Sequence, residues 1–487
     1  MTGLAALHAA YTRCAAFAES VAERGDIAAH VSEFWSEILG ERRNYPTFDE
    51  MLVMRRGFTY PIADRGKSED RDADRAYAEA AWNVVRQTTD REYFDRWQES
   101  SLGAPFSYSF DGLQLTPGGI VNALTSARIV EHCRRSGLGS RPLRVLEIGA
   151  GYGQVAHQLL QQLDIATYAV CDLPENAFLT SFYLQGNWPA RTAAFVAAEG
   201  DRSDAGLVFT VPPLLGELEG PWDLIINSYS FQEMNRESVD AYLAHAAATL
   251  ADDGLLYSLN AHGKGLTGIR QPSDYVMEGL EIATIAPVRR YPWQMFATVP
   301  YELIMRRGSA RPAASHLDGL GRAMQLGLHD EIAGLCAAFG TGTEDARLDA
   351  LARFGDEREP EDARAAAAAA VGGPVGDHLA ATLACATGDG GAEDALRESL
   401  PGLPGTHAEV RARVALAAFG EDADTSRALE LAPHLERDIN HYSSEPETLR
   451  AVLASQLGLA VEAPAPAPAG RARLAALGRS LGKRQSR

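Results

Sequence analysis

Glu147-Ile-Gly149-Ala-Gly151-Tyr-Gly153 is the stretch of this 487-residue chain whose residue types and spacing point most directly to chemistry. Glycines at alternate positions let the backbone turn tightly and approach a ligand closely. Asp172 closes the next apolar run, Tyr168-Ala-Val-Cys-Asp172. An acid at that place in a nucleotide-binding unit holds ribose hydroxyls. The dinucleotide fingerprint has its third glycine three residues after the second, and here that position is Gln154. The departure argues against a nicotinamide dehydrogenase. A ligand over Gly149, Gly151 and Gly153, with Glu147 before the loop and Asp172 beyond it, is the expectation.

The elements that must position these residues alternate strand with helix. Val145, Leu146 and Ile148 read as a buried strand, and Gln154 to Leu163 as the helix after the loop. Pro174 starts the helix that follows Asp172. Leu207 to Val211 reads as a third strand and Trp222 to Asn227 as a fourth, too continuously apolar to be half exposed. A helix from about Arg236 to Leu250 has Asn235 as its N-cap, Asp252-Asp-Gly254 turns the chain, and Leu255 to Leu259 is a fifth strand. Tyr301 to Met305 closes the sheet. The fold class is therefore α/β, a doubly wound, mostly parallel sheet over about 119 to 308. Residues 1 to 118 read as a helical region, with helical spacing at Leu4, Leu7, Tyr11 and Cys14, at Ile27 to Ile38, and from Ala76 to Gln98. Its aromatic connections, Arg56 to Arg65 and Ala104 to Gly112, read equally as loops or as a substrate lid. Thr116-Pro117 opens a helix through about Arg135.

On these residues the chain resembles the S-adenosylmethionine-dependent methyltransferase superfamily. The resemblance implies a Rossmann-like methyltransferase domain with S-adenosylmethionine over Gly149, Gly151 and Gly153. Asp172 would then hold the ribose, Leu173 would lie against the adenine, and Glu147 and Asn227 would complete the cofactor set. Two further stretches, Asp172-Leu-Pro-Glu175 and Asn227-Ser-Tyr-Ser-Phe-Gln-Glu-Met234, resemble the sugar O-methyltransferases and imply a hydroxyl of a sugar or glycoconjugate as acceptor. In-line methyl transfer needs the acceptor oxygen held behind the methyl group and a base to take its proton. Glu233, after the fourth strand, and His262, after the fifth, are the catalytic candidates. Glu233 reads alternatively as a helix cap or ion-pair partner, and His262 as a solvated loop residue. An imidazole suits such work near its ordinary value of about 6.5. Asp274 and Glu278 could hold a divalent metal, but two acids four residues apart fit a helix surface better; the pattern does not indicate a metal. Tyr275, Tyr291, Trp293 and Phe296 offer either aromatic area for a sugar ring or ordinary core.

Composition bounds the rest. Hydrophobic residues make up 46% and charged residues 23%, an ordinary globular balance. The net charge of -20 argues against a nucleic-acid surface. Five scattered cysteines without a Cys-x-x-Cys pair point to a reducing compartment, and the lack of a leader or long apolar run points to the cytoplasm. Residues 309 to 460 read as an all-α array of short Ala- and Leu-rich helices that packs on the core, binds a partner or mediates homo-oligomer formation. The capping boxes Thr406 to Glu409 and Ser444 to Glu447 belong to it. Residues 461 to 487 form an Ala/Pro linker and a basic tail, read as a solvated tail or as a helix for a membrane surface or protein partner. Two competing functions stay open: a methyltransferase for a non-sugar small molecule, and a non-catalytic binding protein with the α/β core as scaffold.

Overall fold

The computed structural model describes residues 3–32, 35–36, 45–56, 71–201, 203–261, 272–288, 300–308, 314–325, 328, 335, 345–354, 359–387 and 392–399. The chain divides into two compact units, Met1–Leu317 and Asp318–Arg487. The first holds helices α1 (Leu4–Ala22), α2 (Phe48–Met51), α3 (Arg71–Thr88) and α4 (Arg91–Arg96), then the hairpin β1 (Tyr108–Phe110) and β2 (Leu113–Leu115). Helix α5 (Pro117–Arg135) leads into β3 (Leu143–Ile148), α6 (Gln154–Gln162), β4 (Ile165–Cys171), α7 (Pro174–Asn187), β5 (Ala193–Phe195) and β6 (Leu207–Thr210). The chain continues through β7 (Trp222–Ser228), α8 (Arg236–Thr249), β8 (Leu250–Ala261), β9 (Leu280–Pro287) and β10 (Pro300–Arg307). Helix α9 (Ala314–Gln325) spans the division. The second unit continues with α10 (Asp345–Phe354), α11 (Glu361–Val371), α12 (Gly373–Thr387) and α13 (Ala392–Ser399).

Eight strands form one sheet in the order β5-β6-β4-β3-β7-β8-β10-β9. The pairings from β5 to β8 are all parallel, and β10 runs antiparallel to both β8 and β9. Counted from β3, the order β6-β4-β3-β7-β8 is the 3-2-1-4-5 of the Rossmann sheet, with an antiparallel strand where the sixth would lie. The strand order reverses between β3 and β7. Ligands of such sheets sit in the crevice outside the carboxyl ends of the strands at that reversal.

Burial explains the strands. β6 is buried throughout and β7 in all but its last residue, because helices cover both faces of a parallel sheet. On one flank α1 packs against α7, where Tyr11 meets Phe178 and Phe182 edge-on at 5.8 and 6.5 Å. Such ring pairs contribute roughly 0.5–1.5 kcal/mol beyond their buried area. Arg128 on α5 forms an ion pair with the buried Glu302 of β10, bonding both carboxylate oxygens, and so ties that helix to the sheet.

Several expectations shift in detail. The helix expected from Ala76 to Gln98 is broken at Thr89-Asp90 into α3 and α4. The connection Ala104 to Gly112 runs into a true hairpin, Tyr108 to Leu115. Asp111 and Gly112 have φ of 50° and 85°, the mirror-image turn that a two-residue loop requires. The fifth strand starts at Leu250: its register jumps from Trp222↔Leu250 to Leu224↔Leu255, so the Asp252-Asp-Gly254 turn is looped out inside β8. β5 and β9 have no counterpart among the expected strands, the first because Ala-Ala-Phe is too short and half buried to show a pattern. The connection 57–65, the capping boxes, the linker and the tail lie outside the described residues. Among the described residues, no helix is long and apolar enough to cross a membrane.

Candidate active site

The glycine loop leaves β3 at Ile148, at the strand-order reversal. Gly149, Gly151 and Gly153 have φ of 77°, 60° and 92°, a left-handed run that any side chain would strain. Two of the three are also fixed by neighbours. A Cβ on Gly149 would lie 2.0 Å from Ser230 Oγ, and one on Gly153 would lie 2.9 Å from Thr180 Cγ2. Gly151 differs, since a Cβ there meets nothing within 4 Å. The middle of the loop therefore faces open space and forms the floor of a cradle.

Asp172, 6% exposed, ties the end of β4 to this loop. One carboxylate oxygen accepts from Gly151 N at 3.0 Å; the other accepts from Leu173 N at 2.8 Å and Asn176 Nδ2 at 3.1 Å. A carboxylate offers about four acceptor positions, so one is left for an outside donor such as a ribose hydroxyl. Burial pushes the Asp172 carboxyl up to about 6, against the lowering effect of these three bonds. Leu173 is buried at the start of α7, with Pro174 at the first helical position. Glu147 lies beneath the loop, 2% exposed, and accepts from Tyr168 Oη at 2.7 Å. Burial pushes it up to about 7, and the nearby Asp172 charge adds to this.

Asn227 is fully engaged inside the protein. Its Nδ2 donates to Ile148 O at 2.9 Å and Ser230 Oγ at 2.7 Å, while its Oδ1 accepts from Phe231 N at 3.1 Å and Asn260 Nδ2 at 3.0 Å. That fills the two donor and two acceptor positions of an amide. The geometry gives Asn227 the task of joining the ends of β3, β7 and β8. Asn260 Oδ1 in turn accepts from Gln232 N at 3.3 Å, which fixes the 3₁₀ turn Phe231–Glu233. Glu233 is 7% exposed on that turn. His262, Tyr291, Trp293 and Phe296 lie outside the described residues.

The metal and aromatic candidates separate. Asp274 is ion-paired with Arg236, and among the described residues no group of three His, Cys, Asp or Glu could hold a metal. Tyr275 is buried beside Phe231 at 6.2 Å, so it is core and not a platform for a sugar ring.

Two features of the site escaped the sequence. Tyr229 has φ of 57° directly after β7, and its N–H donates to Leu259 O at 2.7 Å. A tyrosine held in that region stores about 1–3 kcal/mol of strain, a property of functional sites that residue type does not announce. The amino-terminal region also reaches both sides of the cradle. Arg55 lies 5.7 Å from the ring centre of Tyr152 in the glycine loop. Asn235 Nδ2, at the start of α8, donates to Ala29 O at 3.1 Å.

No family model matches the chain, and no curated protein matches it. Solved structures do resemble it. The mitomycin 7-O-methyltransferase is 12% identical, with 39% of this chain and 57% of that one covered and a TM-score of 0.26. The chain thus matches little more than half of that enzyme's length. Magnesium protoporphyrin IX methyltransferase from Synechocystis, with bound S-adenosylmethionine, is 18% identical, with 47% and 97% covered and a TM-score of 0.29. An O-methyltransferase from neocarzinostatin biosynthesis, in complex with S-adenosylmethionine and 2-hydroxy-5-methyl naphthoic acid, is 15% identical, with 39% and 58% covered and a TM-score of 0.26. At these identities and TM-scores the likenesses assign no function to this chain, and the sheet order and the cradle stand on their own geometry.

Proposed function

We propose that the protein is an S-adenosylmethionine-dependent O-methyltransferase whose acceptor is a hydroxyl of a sugar or glycoconjugate. One observation carries the cofactor reading: at the strand-order reversal, a left-handed glycine loop open at Gly151 stands beside a buried acid, Asp172, with an acceptor position to spare. The residues fit the cofactor. Gly149, Gly151 and Gly153 would pass beneath it, Asp172 would take a ribose hydroxyl, and Leu173 would give the adenine an apolar neighbour. When bound, S-adenosylmethionine supplies a methyl group on a sulfonium, which leaves as a neutral thioether.

The protein's own part is to place the acceptor and move a proton. Glu233 is fixed on its turn by Asn227, Ser230 and Asn260 at the ends of β7 and β8, the side of the crevice away from Asp172. From there it would accept the proton of the acceptor hydroxyl, and His262, which follows β8 directly in sequence, is the second candidate for that role. The strained Tyr229 lies on the same rim. The sugar assignment rests on the two stretches from Asp172 to Glu175 and from Asn227 to Met234.

The test is transfer of labelled methyl from S-adenosylmethionine to a panel of sugars, glycoconjugates and phenols. Label in a sugar ether supports the reading. Label only in phenols removes the sugar assignment, and absence of both cofactor binding and transfer removes the enzyme reading.

A further inference from the structure

Tyr152 is the one large side chain in the glycine loop, between Gly151 and Gly153. Its ring meets the amino-terminal region: the Arg55 guanidinium lies 5.7 Å from the ring centre, and Tyr183 of α7 packs edge-on at 5.3 Å. The same guanidinium lies 5.8 Å from the ring centre of Tyr183. One cation thus joins a ring on the loop to a ring on the helix beside it.

Arg55 is wholly buried, and its own position is fixed from several sides. Nη1 donates to Ser100 O at 2.8 Å, and Nη2 donates to Glu99 Oε1 and Thr116 Oγ1, each at 2.9 Å. Its backbone N–H donates to Gly103 O at 3.0 Å, and a Cβ on Gly103 would lie 2.8 Å from Arg55 Cγ. Glu99 neutralises the buried charge and also accepts from Gln154 Nε2 at 3.3 Å. Gln154, the first residue of α6, accepts from Tyr183 Oη at 2.7 Å. A cation paired and bonded in this way stays in one place, and its attraction to aromatic faces is strongest where water is excluded.

The loop backbone is anchored separately on its other flank. Gly151 N donates to Asp172, and Gly151 O accepts from Thr180 Oγ1. Tyr152, the next residue, is held by Arg55, so the loop is fixed on both sides of the point where the cradle is open. Three glycines in five residues leave a backbone many conformations, and apparent affinity falls with the fraction of chains in the binding one.

Resting on the cofactor reading above, we infer that Arg55 and Tyr152 are positioning residues for S-adenosylmethionine: through their contact the amino-terminal region holds the glycine loop in its cofactor-binding conformation. Both act through the loop backbone.

Calorimetric titration of the full-length protein with S-adenosylhomocysteine tests this on wild type, Tyr152→Phe, Tyr152→Leu, Arg55→Lys and the double variant Tyr152→Leu/Arg55→Lys. Tyr152→Phe keeps a ring beside the cation and should bind within about twofold of wild type. Tyr152→Leu should bind roughly fivefold or more weakly. Arg55→Lys keeps the charge beside Glu99 but loses the planar fork and its stacking, and should lose a similar factor. The double variant should bind no more weakly than the weaker single one, because the contact is already gone. If Arg55→Lys does not fold, the charge-free pair Arg55→Met/Glu99→Gln takes its place in the same cycle. A role in stability alone would shift unfolding midpoints and leave the affinity of the folded protein unchanged. Folded Tyr152→Leu that binds like wild type therefore overturns the inference, as does Tyr152→Phe as weak as Tyr152→Leu, or losses that add in the double variant. Wild type that does not bind S-adenosylhomocysteine overturns the cofactor reading itself, and the inference with it.

Discussion

Gly151→Ala separates a glycine required by a ligand from one required by the fold. Its Cβ would meet no protein atom within 4 Å, so the cost to folding is the left-handed backbone alone, φ 60°. For an L-residue that is roughly 1–2 kcal/mol. Gly149→Ala has the same backbone cost, and its Cβ would also lie 2.0 Å from Ser230 Oγ and 2.5 Å from Ser230 Cβ. Ser230 cannot move freely, because it bonds Asn227 and Ile148. Overpacking of that kind adds about 1–3 kcal/mol. Denaturant unfolding should therefore rank Gly149→Ala as clearly the less stable variant, with Gly151→Ala losing only the smaller amount. Binding should be affected without regard to that ranking. The methyl that Gly151→Ala adds occupies the floor of the cradle, and calorimetry with S-adenosylhomocysteine should show a loss of at least about tenfold, or 1.4 kcal/mol. If a stable Gly151→Ala protein binds S-adenosylhomocysteine like wild type, the cofactor does not cross Gly151.

Further outcomes follow from the same site. Asp172→Ala should weaken cofactor binding by roughly 1.5–3 kcal/mol. Because burial places the Asp172 carboxyl at about 6 and ribose binding uses the ionised form, wild-type affinity should be flat above neutral pH and fall about tenfold per pH unit well below 6. Asp172→Asn should abolish that dependence, measured by calorimetry across pH 5 to 8 (about three units). Glu147 gives the opposite sign in stability. Burial raises its folded value to about 7 from 4.5, so the native state holds its proton more tightly, and this contribution is lost as pH rises from about 4.5 to about 7. Glu147→Gln should gain up to roughly 3 kcal/mol relative to wild type over that window, read from denaturant midpoints. The difference from wild type is the proper readout, because the buried His157, held down to about 4, makes wild-type stability rise with pH over part of the same range. Glu233→Gln and His262→Ala should each lower turnover while cofactor affinity is largely kept; full turnover in either removes that residue as the base.

How much of this was legible in the sequence depended on whether the signal was local. Three glycines, an acid at a strand end and unbroken apolar runs are local signals, and β3, β4, β6 and β7 follow from them with the Thr116 and Asn235 caps. The hairpin at Asp111-Gly112 was also local, but its two-residue turn lay hidden at the end of an aromatic connection. What the sequence could not give was pairing across distance. Glu99 meets Gln154 fifty-five residues away, and Arg55 meets Thr116 across sixty-one. The methyltransferase resemblance implies a cofactor role for Asn227, at the end of an apolar strand. Only the ends of β3 and β8 beside it reveal that its amide is already fully bonded. Tyr229 shows the same limit in a single residue, since its left-handed φ goes with a bond from its N–H to Leu259 O, thirty residues away.

The cradle between Gly151 and Asp172 is proposed to bind S-adenosylmethionine and not a dinucleotide. Calorimetric titration of the full-length protein with S-adenosylhomocysteine and, separately, with NAD tests it most directly. S-adenosylhomocysteine should bind saturably, one to one, and at least about tenfold more weakly to Gly151→Ala, and NAD should not bind. Heat from NAD alone, or from neither ligand, would contradict it.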